Sequence, residues 1–552
     1  MAGVPSQTPV DLNQSPPFTD VNLYKADPFL QGAVAREGAG GAHESLGAFG
    51  EMSGSGAALE LARAANETPP ELSSAKGVVT FTPAYHALMT MSMGEGLHCS
   101  TWEHLEKGQK PPKGAHVVRG AGFYMAAQME AGHCCPVTMT HAAVAALQNE
   151  PDILDNWLPK ILSRSYDPAF APVSEKKSAT LGMGMTEIQG GTDVRANITR
   201  AEPADGGGPG TAYRITGHKF FMSAPMSDAF LVLAQAPGGL SCFLMPRFRP
   251  DGEVNAIQVL RLKDKLGNRS NASSEAEFHG AYAQLVGEEG RGVRTILDMV
   301  TLTRLDCAIS SAGLMRFALA HAIHHCRYRS VFQRLLIDQP VMEQVLADMA
   351  LHVEAAVMLV FRLARAFDRA DDEMESAYHR LMTPVAKYWV CKTASSFACE
   401  AMECLGGNGY VEDASPLARI YREVPVNAIW EGSGNVMCLD VLRVAEREPE
   451  AAELVLADLA ETIRGESRLE AELERLKGLL TRPSGMERNA RAITGLMAGL
   501  SAAALMRAHA PQPIADSYLS KRERGTRNSQ YGSSGLKKKS CQSILERALP
   551  PG

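Results

Sequence analysis

One carboxylate in the chain stands in surroundings that could make it a base. Glu431 lies in the stretch AIWEGSGNVM, between a tryptophan and a glycine, and this stretch contains no lysine or arginine. Removing such a group from water disfavours its charged form and raises its pKa, so it can take up a proton near neutral pH. From these neighbours alone, Glu431 is either a general base or a structural acid.

Two glycine-containing segments have the composition of ligand-binding loops. MGMTEIQGGTDV contains Gly190 and Gly191, which let backbone N–H groups approach a flat or anionic ligand closely. It has neither the lysine of a P-loop nor a G-x-G-x-x-G sequence, and an ordinary turn is the alternative. ECLGGNGY has Gly406, Gly407 and Gly409 where a helix end needs one glycine, which predicts close passage of a ligand or another subunit.

Aromatic, hydroxyl and basic side chains recur at useful spacings. FFMS places Phe221 and Ser223 two apart on a predicted strand, so both face one side and could bind the face and edge of a ring. HHCRYRSVF is predicted to be helical, with Arg329 and Phe332 on one face. An arginine suits a diphosphate and an aromatic ring suits a purine. The alternatives are a core aromatic beside a surface serine, and a solvated basic helix face.

The elements that must position these residues change character along the chain. Residues 1–178 show helical periodicity, and 179–285 consist of short β-branched or alternating runs separated by turn sequences. Residues 286–446 are again helical, and 447–552 form an additional helical region with a basic tail. A chain of 552 residues is too long for one core, which favours these four domains. The expected fold class is mainly α with a central β domain.

Composition excludes several classes of protein. The eleven cysteines are scattered and form no C-x-x-C sequence, so buried reduced thiols and no metal site are expected. The longest smooth apolar run, LMAGLSAAALM, is shorter than the ~18 residues of a membrane span. Residues 1–25 resemble neither a secretory signal nor a transit peptide, so a cytoplasmic location is expected.

The net charge of −7 is unevenly distributed. From residue 511 onward, eight lysines and arginines face three acids, whereas 451–510 contain eight of each. A basic tail on an acidic body suggests contact with a polyanion, and a poorly ordered end is the alternative. The neutral 451–510 region argues against DNA binding there.

Six motifs resemble those of the acyl-CoA dehydrogenases, in the same order over roughly residues 80–445: MTEIQGGTD, FFMS, KDKLGNRSNAS, RYRSVF, CLGGNGY and IWEGSGN. REGAG, PPEL, RLARAFDR and the extra C-terminal region are similar to the AidB branch of that family. The resemblance implies an N-terminal helical domain, a β-barrel-like domain and a C-terminal four-helix bundle. It also implies FAD, an acyl-CoA substrate, an electron-transfer flavoprotein as candidate electron acceptor, and a homotetramer. Some members of the branch are linked to DNA alkylation damage, so DNA binding and protection is the alternative function.

The resemblance also assigns roles to individual residues. Glu431 matches the base that removes the α-proton of an acyl thioester while the β-hydrogen leaves as hydride to the flavin. Thr303 stands where other members carry the base, and Arg304 beside it lies near substrate or flavin, or forms a helix-stabilising ion pair. Positions matching FAD-binding residues are Met185, Thr186, Gly191, Thr192, Phe221, Ser223, Arg329, Phe332, Gln339, Glu403, Gly406, Gly407, Ser433 and Asn435. Of these, the group from Arg329 to Gly407 would serve FAD across a dimer interface.

Overall fold

Helices form the first third of the chain, and their starts follow local sequence signals. The computed structural model describes residues 12–73, 77–204, 206–481, 485–524 and 530–550. The first part contains α1 (Pro28–Arg36), α2 (His43–Ser53), α3 (Gly56–Glu67), the hairpin β1 (Glu71–Ser73) and β2 (Val78–Thr80), α4 (Pro83–Gly94), α5 (Glu103–Glu106), α6 (Ala115–Met129), α7 (Cys134–Leu147) and α8 (Pro151–Ile161). Asp27 caps α1 by accepting from the N–H groups of Phe29 and Leu30, and Thr82 caps α4 in the same way.

A closed seven-stranded sheet follows. Its strands are β3 (Leu181–Thr186), β4 (Arg200–Pro203), β5 (Ala212–Ser223), β6 (Ala229–Ala236), β7 (Gly239–Pro246), β8 (Ile257–Leu262) and β9 (Ser273–Val286). The order is β3-β5-β4-β6-β7-β9-β8, and the further pairings of β3 with β6 and of β5 with β9 close it into a barrel-like unit. Buried aromatic residues such as Tyr213, Phe230 and Phe243 fill its interior.

Long helices make the third part, and shorter helices extend it. They are α9 (Gly292–Tyr328), the hairpin β10 (Ser330–Val331) and β11 (Arg334–Leu335), α10 (Pro340–Asp368), α11 (Glu373–Leu405), α12 (Gly407–Tyr410), α13 (Leu417–Asn427), α14 (Gly434–Arg447), α15 (Pro449–Thr462), α16 (Ser467–Leu480), α17 (Met486–His509), α18 (Gln512–Arg524) and α19 (Lys538–Ala548). α9, α10 and α11 pack against one another, and α14 and α17 pack against α11. The predicted fold class is confirmed.

The longest apolar stretch of helix is a core element. α10 is the one helix in the described ranges that is long and apolar enough to cross a membrane, with a mean hydropathy of 1.6 over its best window, of which 83% is buried inside the protein. The expectation that no segment reaches such hydropathy is therefore corrected. Occasional charged residues interrupt the run in sequence, and burial among the other bundle helices explains its composition.

The segment after α9 is a hairpin, so the prediction that Arg329 and Phe332 share a helix face is wrong. α9 ends at Tyr328, and Arg329 already has an extended ψ of 127°. Phe332 and Gln333 form the turn between β10 and β11 with φ values of 50° and 62°. Two successive positive φ values are typical of the type I′ turn, whose twist matches that of paired strands. Pairing of the two short strands thus overrides the helical periodicity.

The basic tail is folded where it is described. α18 and α19 pack against α10, and three of the tail's cations make internal contacts: Lys521 Nζ donates to Asp348 O at 2.7 Å, Arg522 pairs with Glu472, and Arg547 Nη2 lies 2.7 Å from Glu354 Oε1. The alternative of a poorly ordered end is therefore wrong for Gln512–Arg524 and 530–550, while Arg527 lies outside the described residues.

The cysteines have the state expected of them. All eleven lie within the described ranges and are free thiols, and all but Cys399 are buried. Among the residues described, no cluster of His, Cys, Asp and Glu could hold a metal ion.

Candidate active site at the junction of the sheet and the bundle

Glu431 lies in the short connection between α13 and α14, in a strained backbone conformation. Its φ is 57°, in the left-handed region, and Gly432 follows with φ of 98°. A non-glycine residue held in this region costs about 1 kcal/mol or more, and such strain concentrates at functional sites.

Two buried cations hold this connection by its carbonyl groups. Lys387 Nζ, on α11, donates to Trp430 O at 2.8 Å and to Gly432 O at 2.5 Å. Arg304 Nε, on α9, donates to Glu431 O at 3.0 Å. Three successive carbonyls therefore accept hydrogen bonds from charged donors, which are stronger than neutral ones. The strained conformation of Glu431 is fixed from both sides.

The second bond of Arg304 anchors it to the helix that follows Glu431. Arg304 Nη1 lies 2.9 Å from Asp440 Oδ2 on α14, and both side chains are buried. Of the two expectations for Arg304, proximity to the reacting groups or a helix-stabilising ion pair, the structure shows the ion pair and adds a bond to the backbone of Glu431. Arg304 thus joins α9 to both α14 and the backbone of Glu431.

The carboxyl group of Glu431 is half-buried and touches one side chain from α9. Thr303 Oγ1 donates to Glu431 Oε2 at 2.8 Å. Burial raises the pKa of Glu431 above its ordinary value, although the hydrogen bond from Thr303 and the charges of Arg304 and Lys387 act in the opposite direction. A half-buried carboxylate with a raised pKa has the properties of a general base.

Trp430 contacts both the sheet and α7. It packs against a small cluster formed by Cys135 and Met139 of α7 and by Ala224 at the end of β5, next to Met183 of β3. Burial, with a smaller contribution from the charge of Glu431, raises the pKa of the Cys135 thiol to about 12, so this thiol is not a nucleophile. Glu431 therefore lies where α7, α9, the sheet and the bundle meet.

The predicted flavin-binding residues of the sheet lie on two paired strands. Thr186 of β3 is opposite Phe221 of β5, and Met183 is opposite Ser223. Phe221 is 45% exposed, and Lys263 Nζ lies 4.7 Å from the centroid of its ring. A Cβ added to Gly191 would lie 2.9 Å from Thr186 Oγ1, so the glycine lets the loop fold back over this threonine. Met185 is half-buried on the same strand, and Thr192 is exposed in the loop.

A buried ion pair supports this loop. Glu187 Oε1 lies 2.8 Å from Lys219 Nζ on β5, and Glu187 Oε2 accepts from the N–H of Ile198 at 2.7 Å. Burial alone would raise the pKa of Glu187, but Lys219 and the other donors hold it at about 2. The ion pair therefore holds in place the start of the loop that carries the two glycines.

A second surface lies at the far ends of α9 and α11, and six predicted cofactor residues belong to it: Arg329, Phe332, Gln339, Glu403, Gly406 and Gly407. Cys326 Sγ contacts Cys404 O at 3.9 Å, which joins these two helix ends. From Lys387 to Leu405, α11 advances roughly 27 Å. The second surface therefore lies far from the Glu431 of its own chain, as a site that serves a neighbouring subunit would.

The residues of this second surface differ in what they contact. Arg329 Nη1 donates to Asn13 O at 2.6 Å, and Gln339 Nε2 donates to Val331 O at 3.0 Å. Phe332 is 96% exposed at the tip of its hairpin, and Glu403 is also exposed.

The three glycines of this surface differ in backbone conformation and in the space that a side chain at each position would have. Gly406 has φ of 61°, and a Cβ on Gly409 would lie 2.2 Å from Met402 O. A Cβ on Gly407 would meet no described atom within 4 Å. Of the three, Gly407 is the one whose own backbone and packing do not require a glycine.

The start of α14 carries the last predicted cofactor residues. Ser433 is the N-cap residue, but within the described chain its hydroxyl does not cap the helix. Asn435 Oδ1 accepts a hydrogen bond of 2.8 Å from Arg491 Nε, and Arg491 comes from α17 in the C-terminal extension. The extension therefore borders the candidate site.

Sequence reasoning missed Lys387, the Glu187–Lys219 pair and Arg491. A lysine among apolar residues in VAKYWV was a detectable signal for Lys387, because an isolated charge inside a buried helix needs a partner. Arg491 gave no such signal, because it is one of the exposed charged residues in the first turns of α17.

Comparison with known proteins shows which class of protein has this arrangement. A helical N-terminal part, a closed sheet and a long-helix bundle, with a glutamate at their junction, define the acyl-CoA dehydrogenases. The family models of the acyl-CoA dehydrogenase middle and C-terminal domains match residues 182–281 and 290–446, and that of the adaptive response protein AidB N-terminal domain matches 13–168. The chain is 46% identical to AidB of Escherichia coli (strain K12) over 93% of its own length and 94% of that protein. It therefore belongs to the acyl-CoA dehydrogenase family, within the group that contains AidB.

Solved structures agree with this assignment. Caenorhabditis elegans ACDH-11, in complex with C11-CoA, aligns with a TM-score of 0.82 and 27% identity, over 98% of this chain and 93% of that chain. The apo form of Bd2924 aligns with a TM-score of 0.80 and 28% identity, over 90% of this chain and 99% of that chain.

Proposed function

We propose that the protein is an FAD-dependent acyl-CoA dehydrogenase that desaturates an acyl-CoA thioester between its α- and β-carbons, with Glu431 as the base. The observation that carries this proposal is the carboxyl group itself. It is half-buried, its pKa is raised, and its backbone is fixed in a strained conformation by Lys387 and Arg304. A purely structural acid would be expected in an ion pair, and in the described chain Glu431 makes none; its carboxyl group accepts from Thr303.

The residues present fit FAD. The exposed ring of Phe221 beside Thr186 offers a surface for a flat ring system, and Gly191 leaves space over it. The uncapped first turn of α14, next to Ser433, presents backbone N–H groups that favour anionic or polar acceptor atoms. When bound, FAD supplies the acceptor for the hydride that leaves the β-carbon.

Glu431 would take the α-proton on its free carboxylate oxygen. The thioester carbonyl makes that C–H bond acidic, and the raised pKa of Glu431 lowers the mismatch between base and acid. Thr303 would orient the carboxylate through its hydrogen bond, while Lys387 and Arg304 would keep the backbone in place. The relationship to ACDH-11, which was solved with C11-CoA, supports an acyl-CoA as substrate.

The same proposal includes the second surface. Arg329, Phe332, Gln339, Glu403, Gly406 and Gly407 would contact the FAD of a neighbouring subunit, in a homotetramer. An electron-transfer flavoprotein would reoxidise the flavin, and the cytoplasm is the proposed location.

The test is anaerobic reduction of the FAD-loaded protein by acyl-CoA thioesters. The loss of the flavin's visible absorbance measures the rate of this reduction. Glu431→Gln should slow bleaching by about 100-fold or more, the usual contribution of a general base. Glu446→Gln, an exposed glutamate on α14, is the matched control and should bleach at the wild-type rate. Equal bleaching rates for Glu431→Gln and the wild type would refute the proposal that Glu431 is the base.

DNA binding is the second candidate function, supported by one exposed basic cluster. Lys537, Lys538 and Lys539 are exposed at the N-terminal end of α19, where cations are unfavourable beside the positive end of the helix dipole. Such a placement favours a role in binding an anion. Replacing the three lysines by glutamine should abolish salt-sensitive retention of double-stranded DNA without changing flavin reduction; retention unchanged by the substitution would refute this candidate.

A further inference from the structure

A cavity of about 570 Å³ lies at the end of α9 that is remote from Glu431. Thr303, which contacts Glu431, and His321, which lines the cavity, are 18 residues apart on this helix, or roughly 27 Å. None of the six residues of the second surface is among the lining residues, although Leu405 and Asn408 flank its adjacent glycines. The cavity is therefore distinct from both parts of the proposed flavin site.

One wall of the cavity is the N-terminal segment of residues 15–19, which is tied to the end of α9. His324 Nε2 donates to Pro16 O at 2.8 Å. The half-buried ring of Phe18 packs against His321 and His324, with ring centroids 5.1 and 4.7 Å apart respectively. These rings give the cavity a flat, largely apolar side.

Another wall is formed where the connection between β8 and β9 packs on α13. A Cβ on Gly267 would lie 2.2 Å from a backbone oxygen of α13, and the N–H of Asn268 donates to Glu423 Oε1 at 2.8 Å. This close contact places the exposed side chain of Arg269 next to the helix that carries Arg419. Both arginines line the cavity.

Most of the charged residues that line the cavity pair with one another. Arg63 pairs with Glu60 and Glu67, and Arg422 pairs with Glu412. The charged lining residues outside these pairs are two arginines and one aspartate: Arg269, Arg419 and Asp413. Within the ranges that the structure describes, neither of these arginines forms an ion pair. The lining charges outside the pairs therefore sum to +1.

Two buried side chains of the lining carry polar atoms without a partner. Arg419 is 7% exposed; its Nη2 donates to Met129 O at 3.1 Å, while its Nη1 has no hydrogen-bond partner among the described residues. His321 is 8% exposed, and its Nε2 is likewise unpartnered there. Burial lowers the pKa of His321 to about 3, so its ring is neutral and Arg419 supplies the charge. Because buried polar atoms are nearly always hydrogen-bonded, these two nitrogens indicate a site for a polar ligand group.

We propose that this cavity binds a small organic carboxylate with a flat, apolar body. The carboxylate would lie against Arg419 and Arg269, because a guanidinium group matches a carboxylate both in charge and in the geometry of paired hydrogen bonds. The apolar body would lie against the rings of Phe18 and His324. This proposal does not depend on the chemistry proposed for Glu431.

The charge around the cavity favours a carboxylate over a phosphate. One carboxylate balances the surplus of +1, whereas a phosphate group carries roughly −1.5 to −2 at neutral pH. A phosphate would also be repelled by two buried carboxylates that interact electrostatically with Arg419, those of Glu130 and Glu423.

The first test titrates the FAD-loaded wild-type protein by calorimetry. The probes are benzoate, its neutral counterpart benzamide, which has nearly the same shape, and inorganic phosphate. Benzoate should bind at least about tenfold more tightly than benzamide, because charge-assisted hydrogen bonds are the stronger ones. Equal binding of the two, or no binding of benzoate, would overturn the proposal. Tighter binding of phosphate than of benzoate would overturn the assignment to a carboxylate.

The second test asks whether the bound benzoate lies in the cavity. Arg269→Gln removes an exposed charge, and Arg419→Lys keeps a charge but removes the fork of donors; each should weaken benzoate binding about fivefold or more. Arg200→Gln, at an exposed position on β4 outside the cavity, is the matched control and should bind benzoate like the wild type. Wild-type affinity in both cavity variants would overturn the proposal, and if Arg419→Lys does not fold, Arg269→Gln alone decides.

A competition experiment distinguishes this cavity from the acyl-CoA site. An excess of but-2-enoyl-CoA, a thioester of the product class of the proposed reaction, should leave the affinity for benzoate unchanged. Displacement of benzoate would locate it in the active site and overturn the proposal. The bleaching test of Glu431→Gln can fail without affecting this result, so the two proposals stand or fall separately.

Discussion

Replacing Lys387 by methionine should damage both the stability and the catalytic geometry of the protein. Its ammonium group binds Trp430 O and Gly432 O on either side of Glu431. Leaving a buried acceptor without its donor costs about 1–3 kcal/mol, so two orphaned carbonyls cost about 2–6 kcal/mol. Part of this is recovered because no ammonium has to be buried, and the expected net loss in the free energy of unfolding is about 2–4 kcal/mol.

The same substitution should alter the pH dependence of flavin reduction. The charge of Lys387 lowers the pKa of Glu431, so its removal raises that pKa further. Reduction requires the carboxylate form, and its rate should therefore begin to rise only at a higher pH than in the wild type. A displaced base should also slow the reaction by on the order of 100-fold at the plateau.

Urea unfolding and anaerobic stopped-flow reduction across pH would measure the two effects separately. Lys392→Met is the matched control, because Lys392 is exposed on the same helix. A Lys387→Met protein with the wild-type plateau rate and the wild-type pH profile would refute the idea that this lysine positions the base, even if its stability fell.

Three further predictions concern other parts of the molecule. Burial raises the pKa of Asp368 to about 7, so the folded state binds the extra proton and stability should fall as pH rises from about 4 to 7; Asp368→Asn should remove this fall in urea titrations. Arg491→Gln should weaken FAD binding about tenfold in reconstitution titrations, because its guanidinium borders Asn435, whereas Arg488→Gln, at an exposed position in the first turn of the same helix, should not; equal constants would exclude Arg491 from the site. Gly407→Ala should leave the melting temperature of FAD-free protein unchanged, since its Cβ meets no described atom within 4 Å, but weaken FAD binding or subunit association measured by sedimentation.

Periodicity predicted the long elements well because their contacts repeat along the sequence. Residues 286–446 are predicted to be helical, and α10 spans Pro340–Asp368 within them. The position of the strands between about 180 and 285 was equally readable, from alternating and β-branched runs separated by turns. Glu431 was identified from its unusual neighbours and from the family resemblance, and its role as base stays a prediction.

The local sequence could not predict the hairpin that carries Phe332 or the folding of the basic tail. RYRSVF has helical spacing, and only the pairing of Ser330 with Leu335 shows that the helix has already ended. The sequence shows the charges of the tail but not the acidic residues, far away in the chain, that pair with them. A poorly ordered tail was therefore a reasonable alternative. Arg547 pairs with Glu354, a buried residue of α10 that lies 193 positions away.

The sequence by itself determined which residues this protein uses: the elements, their order and the single acid that the resemblance marks as the base. Tertiary structure alone decided how that acid is held. The donors to its backbone come from Arg304, 127 positions earlier, and Lys387 holds the preceding carbonyl from 43 positions away. Spacing along a chain describes which residues share a face of one element, but a strained turn between two helices is stabilised by whichever buried donors the packing of other helices brings to it.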